Sequence, residues 1–320
     1  MSIANRYDFY LLFDVEYGNP NGDPDAGNLP RIDPESMHGL VSDVSLKRKV
    51  RDYVSMRWGG DEESGMGIYV KHHGVLNAEH RKAYEKLGIT PITEAVDESG
   101  DGSGAKGKKQ SRNDVAAART EMCRRYYDVR TFGGVMSTGI NAGQVRGPVQ
   151  MTFGRSIEPI VPMDISLTRV AVTSERDAVP EDKPGTAGQK ETEMGRRSLV
   201  PYGLYQAYGF VSPHFAVGTG FSDLDLAALW EALCRMFEGE RTSTKGLMST
   251  RDLIVFKHPN ALGVAPSHDL FARIHVDRTD DATTPARAFT EYEVKVDESG
   301  LSERGIEVIR PLEAAWTTAT

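Results

Sequence analysis

The sequence predicts an α+β fold whose centre is a βαββαβ core with long insertions between its elements. Three observations carry that reading. An apolar alternating run opens the chain at Tyr7 to Val15. Helical periodicity recurs in two well-separated stretches, Ser42 to Arg57 and Ser222 to Phe237, and short β-branched or aromatic runs fill the rest. No internal repeat is visible, and 320 residues suit one large domain spanning 1–320.

The first strand, Tyr7 to Val15, sets Phe9, Leu11, Phe13 and Val15 on one face. It ends in a loop so rich in Gly, Pro, Asn and Asp that only irregular backbone can house it. Ser42 or Asp43 then caps a helix to about Arg57, with Leu46, Val50, Tyr53 and Val54 as its inner stripe. That helix carries a compact basic cluster, Lys47-Arg48-Lys49-Arg51, in which Lys47 and Arg51 lie one turn apart on an outer flank.

A short strand is expected at Ile68 to His72, and a helix at Asn77 to Leu87 stopped by Gly88. Glu94 to Lys109 is Gly, Ser and charge, hence a surface loop, and Val115 to Tyr127 is a helix bearing Arg119, Arg124 and Arg125. VRTFGGVMSTG and QVRGPVQMTF read as two glycine-punctuated strands. Strands Ile165 to Thr173 and Gly203 to Val211 bracket a polar excursion, Ser174 to Tyr202. In the second long helix Ser222 caps, Asp225 supports the first turn, and Leu226, Leu229, Trp230, Leu233 and Phe237 follow the helical period. Strands at Leu253 to Lys257, Leu270 to Val276, Phe289 to Val296 and Ile306 to Ile309 complete the chain.

Hydrophobic content of 39% and charged content of 26% are ordinary for a soluble globular protein. No apolar run reaches the roughly 18 residues of a membrane span, and no export signal opens the chain, so the cytoplasm is the expected compartment. Cys123 and Cys234 fall in predicted helices without metal-ligand spacing and read as buried thiols. A net charge of −8 argues against nucleic acid until its distribution is considered. Lys106 to Arg130 holds eight basic residues against three acidic ones, whereas Asp277 to Glu313 holds ten acidic against five basic. Such a chain can grip a phosphate backbone on one face and offer an acidic face elsewhere.

Catalytic motifs are sparse. Asp14, Asp23, Asp25 and Asp33 can hold Mg²⁺ for phosphodiester cleavage, which makes a metal-dependent endoribonuclease the alternative function. Asp before Pro or beside Gly is equally ordinary turn chemistry, and the EF-hand template lacks its twelfth-position Glu. The histidines form no HExxH spacing, and neither a GxSxG elbow nor a phosphate-binding GxxxxGK[ST] loop occurs. QAYGFVSP at Gln206 to Pro213 matches the middle of an RRM signature but lacks its opening basic residue and final aromatic. Two basic helices beside glycine-rich strands give the better signal, with Lys47, Lys49, Arg51, Arg112, Arg119, Arg124, Arg125 and Arg146 able to track a ribose-phosphate chain.

Four long blocks then resemble one family in the same order: GNPNGDPDAGNLPRIDP with LKRKVRDYV, DVRTFGGVMSTGINAGQVRGPVQMTFGRSIEPI, MGRRSLVPYGLYQAYGFVSPHFA, and MSTRDLIVFKHPNALGVAPSHDLF. The family is the RAMP-superfamily backbone subunit (Csd) of the type I-C CRISPR interference complex, Cascade. The resemblance implies an RRM-like, ferredoxin-like palm with inserted finger loops, here 59–112, and a β-hairpin thumb, here 174–202. It implies copies stacked head to tail along the spacer of a CRISPR RNA, leaving the guide free to pair with a target DNA strand. Its implied partners are a subunit that binds the 5′ handle, a large subunit and a small subunit, with no membrane and no cofactor.

Carried over residue by residue, the resemblance implies backbone binding by Lys47, Lys49, Arg51, Arg112 and Arg146, and by Arg196 and Arg197 at the thumb. Asn19, Asn21 and Asn28 contact the RNA or the neighbouring copy through the loop, and Met194, Leu199 or Tyr202 supplies an apolar wedge. Lys106, Lys108 and Lys109 mark an alternative clamping loop. Related type III backbones cut RNA with an aspartate on the loop after the first strand, where this chain also has Asp23 and Asp25, whereas type I backbones are held to be non-catalytic, so no catalytic or metal residue is expected here.

Overall fold

The computed structural model describes residues 2–92, 110–169, 171, 193–279 and 284–317. In chain order, β1 (Tyr7–Gly18) and β2 (His38–Val41) precede α1 (Asp43–Trp58). A helical run follows: α2 (Leu76–Lys86), α3 (Arg112–Arg125) and α4 (Tyr127–Phe132). Next come four short strands, β3 (Gly133–Val135), β4 (Gln144–Arg146), β5 (Val149–Met151) and β6 (Gly154–Pro159), then β7 (Met163–Arg169) and the long β8 (Glu193–Val211). Helices α5 (Pro213–Thr219) and α6 (Asp223–Arg235) lead to β9 (Leu247–Lys257). The C-terminal part is α7 (Ser267–Phe271), β10 (Ile274–Arg278), β11 (Tyr292–Val296), β12 (Glu307–Ile309) and α8 (Pro311–Thr317).

The main sheet is antiparallel and runs β12-β9-β1-β8-β6-β2. At its centre β1 pairs with β8 from Tyr7↔Val211 to Gly18↔Val200, and with β9 from Tyr7↔Lys257 to Glu16↔Leu247. The connection from β1 through α1 to β6 skips over β8, and that from β8 through α6 to β9 skips over β1. The two crossovers therefore interlock.

Burial follows from alternation along β1. Phe9, Leu11, Phe13 and Val15 point into one core with Leu46, Val50 and Val54 of α1 and Leu226, Leu229 and Leu233 of α6. Trp230 meets Phe9 edge-on at 5.3 Å, and Phe13 stacks between Tyr205 at 5.4 Å and Phe237 at 5.3 Å. Each fully buried side chain of this size contributes roughly 1.5–3 kcal/mol. The opposite face is covered as well. Tyr10, Leu12, Leu204, Ile254 and Phe256 lie beneath Leu270, Tyr292, Leu301 and Ile306 of the C-terminal part. A third cluster, including Tyr69, Tyr84, Met122, Tyr126 and Ile140, holds the α2–α3–α4 lobe together.

Several predicted elements differ. Ile68 to His72 is not a strand: the Tyr69 and Val70 N–H groups donate to the Asp128 carboxylate at 2.8 and 3.0 Å, so a side chain replaces the ladder. VRTF is the end of α4, stopped by Gly133 at φ 80, and only three residues of that block extend. QVRGPVQMTF breaks into β4, which pairs with β3, and β5, which pairs with β8; between them the backbone at Gly147 passes so close to Thr131 and Phe132 that a Cβ would collide. Leu270 belongs to α7, and Phe289 opens a 3-10 turn before β11.

In the predicted excursion, the last part is strand. Residues 193–199 of β8 pair with β7, from Glu193↔Arg169 to Leu199↔Met163. The rest of that excursion, 174–192, and the predicted loop from Glu94 to Lys109 lie outside the described residues.

Candidate nucleic-acid interface

The loop after β1 is held by its own asparagines. Asn19 is buried; its N–H donates to the Thr244 carbonyl at 2.8 Å and its Nδ2 to the Asn28 carbonyl at 2.8 Å. Asn21 Oδ1 accepts from the Ser42 N–H at 2.8 Å and hydroxyl at 2.9 Å, tying the loop to the start of α1. Asn28 is exposed at φ +63, the left-handed region that Asn tolerates. Asn19 and Asn21 thus spend their side chains on loop shape, and Asn28 is the one presented to solvent.

The four aspartates have separate tasks. Asp14 is buried, accepting from Tyr202 Oη at 3.1 Å and Arg251 Nε at 2.8 Å; burial raises its pKa against those partners. Asp23 caps the turn Pro24–Ala26 and pairs with Arg31 at 3.3 Å. Asp25 is exposed, and Asp33 accepts from Ser36 Oγ at 2.6 Å, which holds its carboxyl below the usual range. Among the described residues no group of three His, Cys, Asp or Glu side chains converges as a metal site.

The basic run of α1 splits by helical geometry. Lys47 pairs with Asp43 at 2.9 Å, and Arg51 donates from Nε to the buried Asp128 at 2.8 Å. Lys49 is 3% exposed and contacts the Glu240 carboxylate, so it does not face solvent as the sequence reading expected. Burial, and then the charge of Lys245, pull its pKa down to about 7. Lys245 donates to the Pro20 carbonyl at 3.0 Å, and its own pKa is lowered by burial and by Arg48.

Arg197 reaches the same turn, donating to the Ser243 carbonyl at 2.9 Å. Arg48, Lys49, Lys245 and Arg197 therefore gather where α1, the loop after β1, the 242–246 turn and the β7–β8 ladder meet. Sequence reasoning did not select Arg48 or Lys245. The signals were the helical phase of Arg48 and Gly246 at φ +62, which lets the Lys245 turn press on β1 where a Cβ would strike the Glu16 carbonyl.

Directly opposed residues of an antiparallel ladder share a face. Met163, Ile165 and Leu167 therefore share one face with Leu199, Arg197 and Gly195, and Met163 and Leu167 are exposed. Asp164, Ser166 and Thr168 share the other with Ser198, Arg196 and Met194, and Arg196 is exposed. Leu199 and Tyr202, expected as wedge residues, are each 6% exposed. They lie at the root of the ladder, where β8 enters the sheet, and cannot reach a base from there.

Arg112 is exposed at the start of α3, and Arg146 is exposed on β4 with its guanidinium 4.2 Å from the Phe215 ring centre. They stand on different elements from the cation cluster. Arg124 pairs with Glu121 at 2.8 Å, and the mostly buried Arg125 contacts Glu62. Lys106, Lys108 and Lys109 lie outside the described residues. Tyr208 packs on Phe271 with ring centres 4.6 Å apart, and Phe210 meets the same ring at 5.9 Å, so both aromatics are engaged by α7.

The family model described as CRISPR-associated protein Cas7 matches residues 5–297. A curated relative from Haloferax volcanii, also named CRISPR-associated protein Cas7, is 27% identical over 266 residues, covering 77% of this chain and 68% of the relative. Among solved structures, a chain of a "CRISPR RNA-guided surveillance complex, pre-nicking" has a TM-score of 0.46 at 17% identity and 78% coverage of each chain. A chain of a "CRISPR RNA-guided surveillance complex" has a TM-score of 0.44 at 15% identity, covering 78% of this chain and 68% of that one. The family match takes in β1, its loop, α1, the ladder and β9 alike, and on that match the chain belongs to the CRISPR-associated protein Cas7 family.

Proposed function

We propose that this chain is a non-catalytic CRISPR RNA-binding backbone subunit of a type I-C Cascade, stacked head to tail on the guide spacer and presenting it to a target DNA strand. The observation that carries this reading is the crowding of Arg48, Lys49, Lys245 and Arg197 at the root of a ladder with an apolar face. Lys49 feels the repulsion of Lys245 and Arg48, and Lys245 that of Arg48, and a phosphate chain would relieve it. An apolar platform beside them suits the faces of unpaired bases without reading their edges.

The interlocked crossovers, with α1 and α6 on one sheet face, support an RRM-like palm. Because the C-terminal part fills the other face, RNA would follow the loop and ladder rather than cross the sheet. In this proposal the β7–β8 ladder is the base of the thumb, 59–112 is the finger insertion, and Arg48, Arg196, Arg197 and Lys245 hold phosphates, with the buried Lys49 adding its charge from beneath. Asn28, Lys47, Arg112 and Arg146 extend the track, and Met194, Met163 or Leu167 supplies the wedge. Arg51 acts from inside, by placing Asp128. The acidic C-terminal surface meets the basic face of the next copy, and the 5′-handle, large and small subunits complete the assembly in the cytoplasm.

The test is to purify the chain and compare absorbance at 260 and 280 nm with its size in solution. A backbone subunit carries protected RNA and runs as a large species. RNA cleavage that needs Mg²⁺ and disappears with Asp23→Ala or Asp25→Ala would overturn the non-catalytic reading.

A further inference from the structure

Leu224, Leu262 and Val217, at 83, 75 and 74%, are the most exposed large apolar side chains among the described residues. All three lie at one end of the main sheet, where Tyr7 of β1 meets Val211 of β8 and Lys257 of β9; the RNA track lies at the other end. They stand on opposite faces. Leu262 belongs to the 258–266 loop, whose Ala265 packs with the C-terminal part over Tyr10 and Leu12. Val217 of α5 and Leu224 of α6 border a cleft of about 990 Å³ on the helical side, together with Trp58, Met66 and Ala227. Surface apolar groups gathered beside a cleft mark an interaction site.

Hydrogen bonds fix the loop that carries Leu262. Asn5 Nδ2 donates to the His258 carbonyl at 2.7 Å, the Arg6 N–H to the Asn260 carbonyl at 3.1 Å, and Arg6 Nη1 to the Leu262 carbonyl at 3.1 Å. Asn260 Oδ1 accepts from the Leu262 and Gly263 N–H groups at 3.1 and 2.8 Å. The buried His258 accepts at Nδ1 from the Val264 N–H at 3.1 Å, so its Nε2 donates to Asp8 at 2.8 Å. Gly263 sits at φ +84, where a Cβ would meet Arg6 Nη1 at 2.8 Å. A loop held this way loses little entropy when its apolar tip is buried.

We propose that Leu262 of one copy seats between Val217 and Leu224 in the cleft of the next, in a contact that needs no RNA. The inference rests on the head-to-tail reading and specifies a protein contact for it, at the end of the sheet away from the strand. Knob and cleft face opposite ways, so each contact leaves one knob and one cleft open, and further copies add at both ends. Charge favours a second copy as the occupant. Asp269 and Glu303 are exposed beside the loop, Glu303 in the turn whose Gly305 lies against Pro259. Arg124 stands at the cleft, 44% exposed, so an acidic rim around the knob meets a cation beside the hole.

The test follows the mass of the whole chain, freed of co-purified RNA, by light scattering and sedimentation over a range of concentrations. The unmodified chain is expected to grow past a dimer as concentration rises. Leu262→Asp and Leu224→Asp should each weaken self-association by roughly tenfold or more. Mixed together, these two variants should form a one-to-one pair and stop there, because the first keeps its cleft and the second its knob. Affinity for an oligonucleotide short enough for one copy should stay within about twofold in both. Circular dichroism and melting check that each variant folds, and Val217→Asp repeats the cleft test at a second exposed position. A chain that is monomeric without RNA overturns the contact, and if it still forms large particles on RNA the stacking reading survives. A chain that forms no large particle on RNA either removes the stacking reading and this contact together. Assembly that ends at a dimer, or variants that do not pair when mixed, assigns these side chains to another partner and also overturns the proposal.

Discussion

Lys49 sets its ammonium against the Glu240 carboxylate beneath α1, with 2% of the lysine side chain exposed. The glutamate is thus the counter-ion of a cation that has Lys245, Asp52 and Arg48 as its other charged neighbours. A buried pair of this kind is strongly destabilised when one partner is removed, unless the survivor can shed its charge.

Glu240→Ala should therefore cost stability without adding positive charge. Stability should fall by about 1–3 kcal/mol, less than a fixed buried charge would cost, because Lys49 can release its proton. Affinity for single-stranded RNA should stay within about twofold, because the lost carboxylate is matched by the lost ammonium charge. Urea denaturation and filter binding on one preparation check both.

Arg51 and Asp128 make a different case. The Asp128 carboxylate is 1% exposed and also receives the Tyr69 and Val70 N–H groups, so Arg51 neutralises a charge on which two segments hang. Arg51→Ala should cost about 3–5 kcal/mol of stability. The salt dependence of RNA binding should stay as it was, since this guanidinium faces inward. Lys47→Ala, at a partly exposed pair, should change stability by less than about 1 kcal/mol.

Acid should loosen the helical lobe before the sheet. Burial alone would raise the carboxyls of Glu62 and Glu79, but hydrogen bonds from Arg125, Lys82 and Tyr126 outweigh it and leave both below the ordinary 4.5. Glu121 is lowered chiefly by Arg124. Depressed carboxyls stabilise above their ordinary value and lose that contribution as pH falls through the folded value. Asp14 and Asp252 run the other way: burial raises both, so protonation relieves a cost in the sheet. Hydrogen exchange followed downward from pH 4.5 should show α2 and α3 opening first. Simultaneous opening of β1 would contradict this.

The sheet aromatics should be silent in binding. With Tyr208 packed on Phe271, Tyr208→Ala should lower the melting temperature and leave RNA affinity within about twofold. A large loss of affinity without a loss of stability would instead assign base stacking to the sheet.

The elements legible in the sequence were those whose cause is local. Alternation marked β1, and the caps of α1 and α6 were visible because Ser42 accepts from the Ser45 N–H while Ser222 and Asp225 form a reciprocal pair. α4 was misread as strand because its conformation depends on distant partners: Asp128 holds Arg51, and Arg130 grips Asp225 at 2.6 Å. The basic run of α1 was legible as charge but not as direction. At about 100° per residue Lys49 falls beside Tyr53 on the inner stripe, whereas Arg48 points away from Leu46. Lys245 was marked only by the glycine that follows it, since it is the fold that brings its turn to Pro20.

The most direct test of the central claim is the slope of log affinity against log salt for single-stranded RNA, measured for the unmodified chain and for Arg48→Glu, Arg197→Glu and Lys245→Glu. If these side chains hold phosphates, each substitution should flatten the slope by roughly 0.7. A slope unchanged in all three would place the RNA elsewhere and contradict the account.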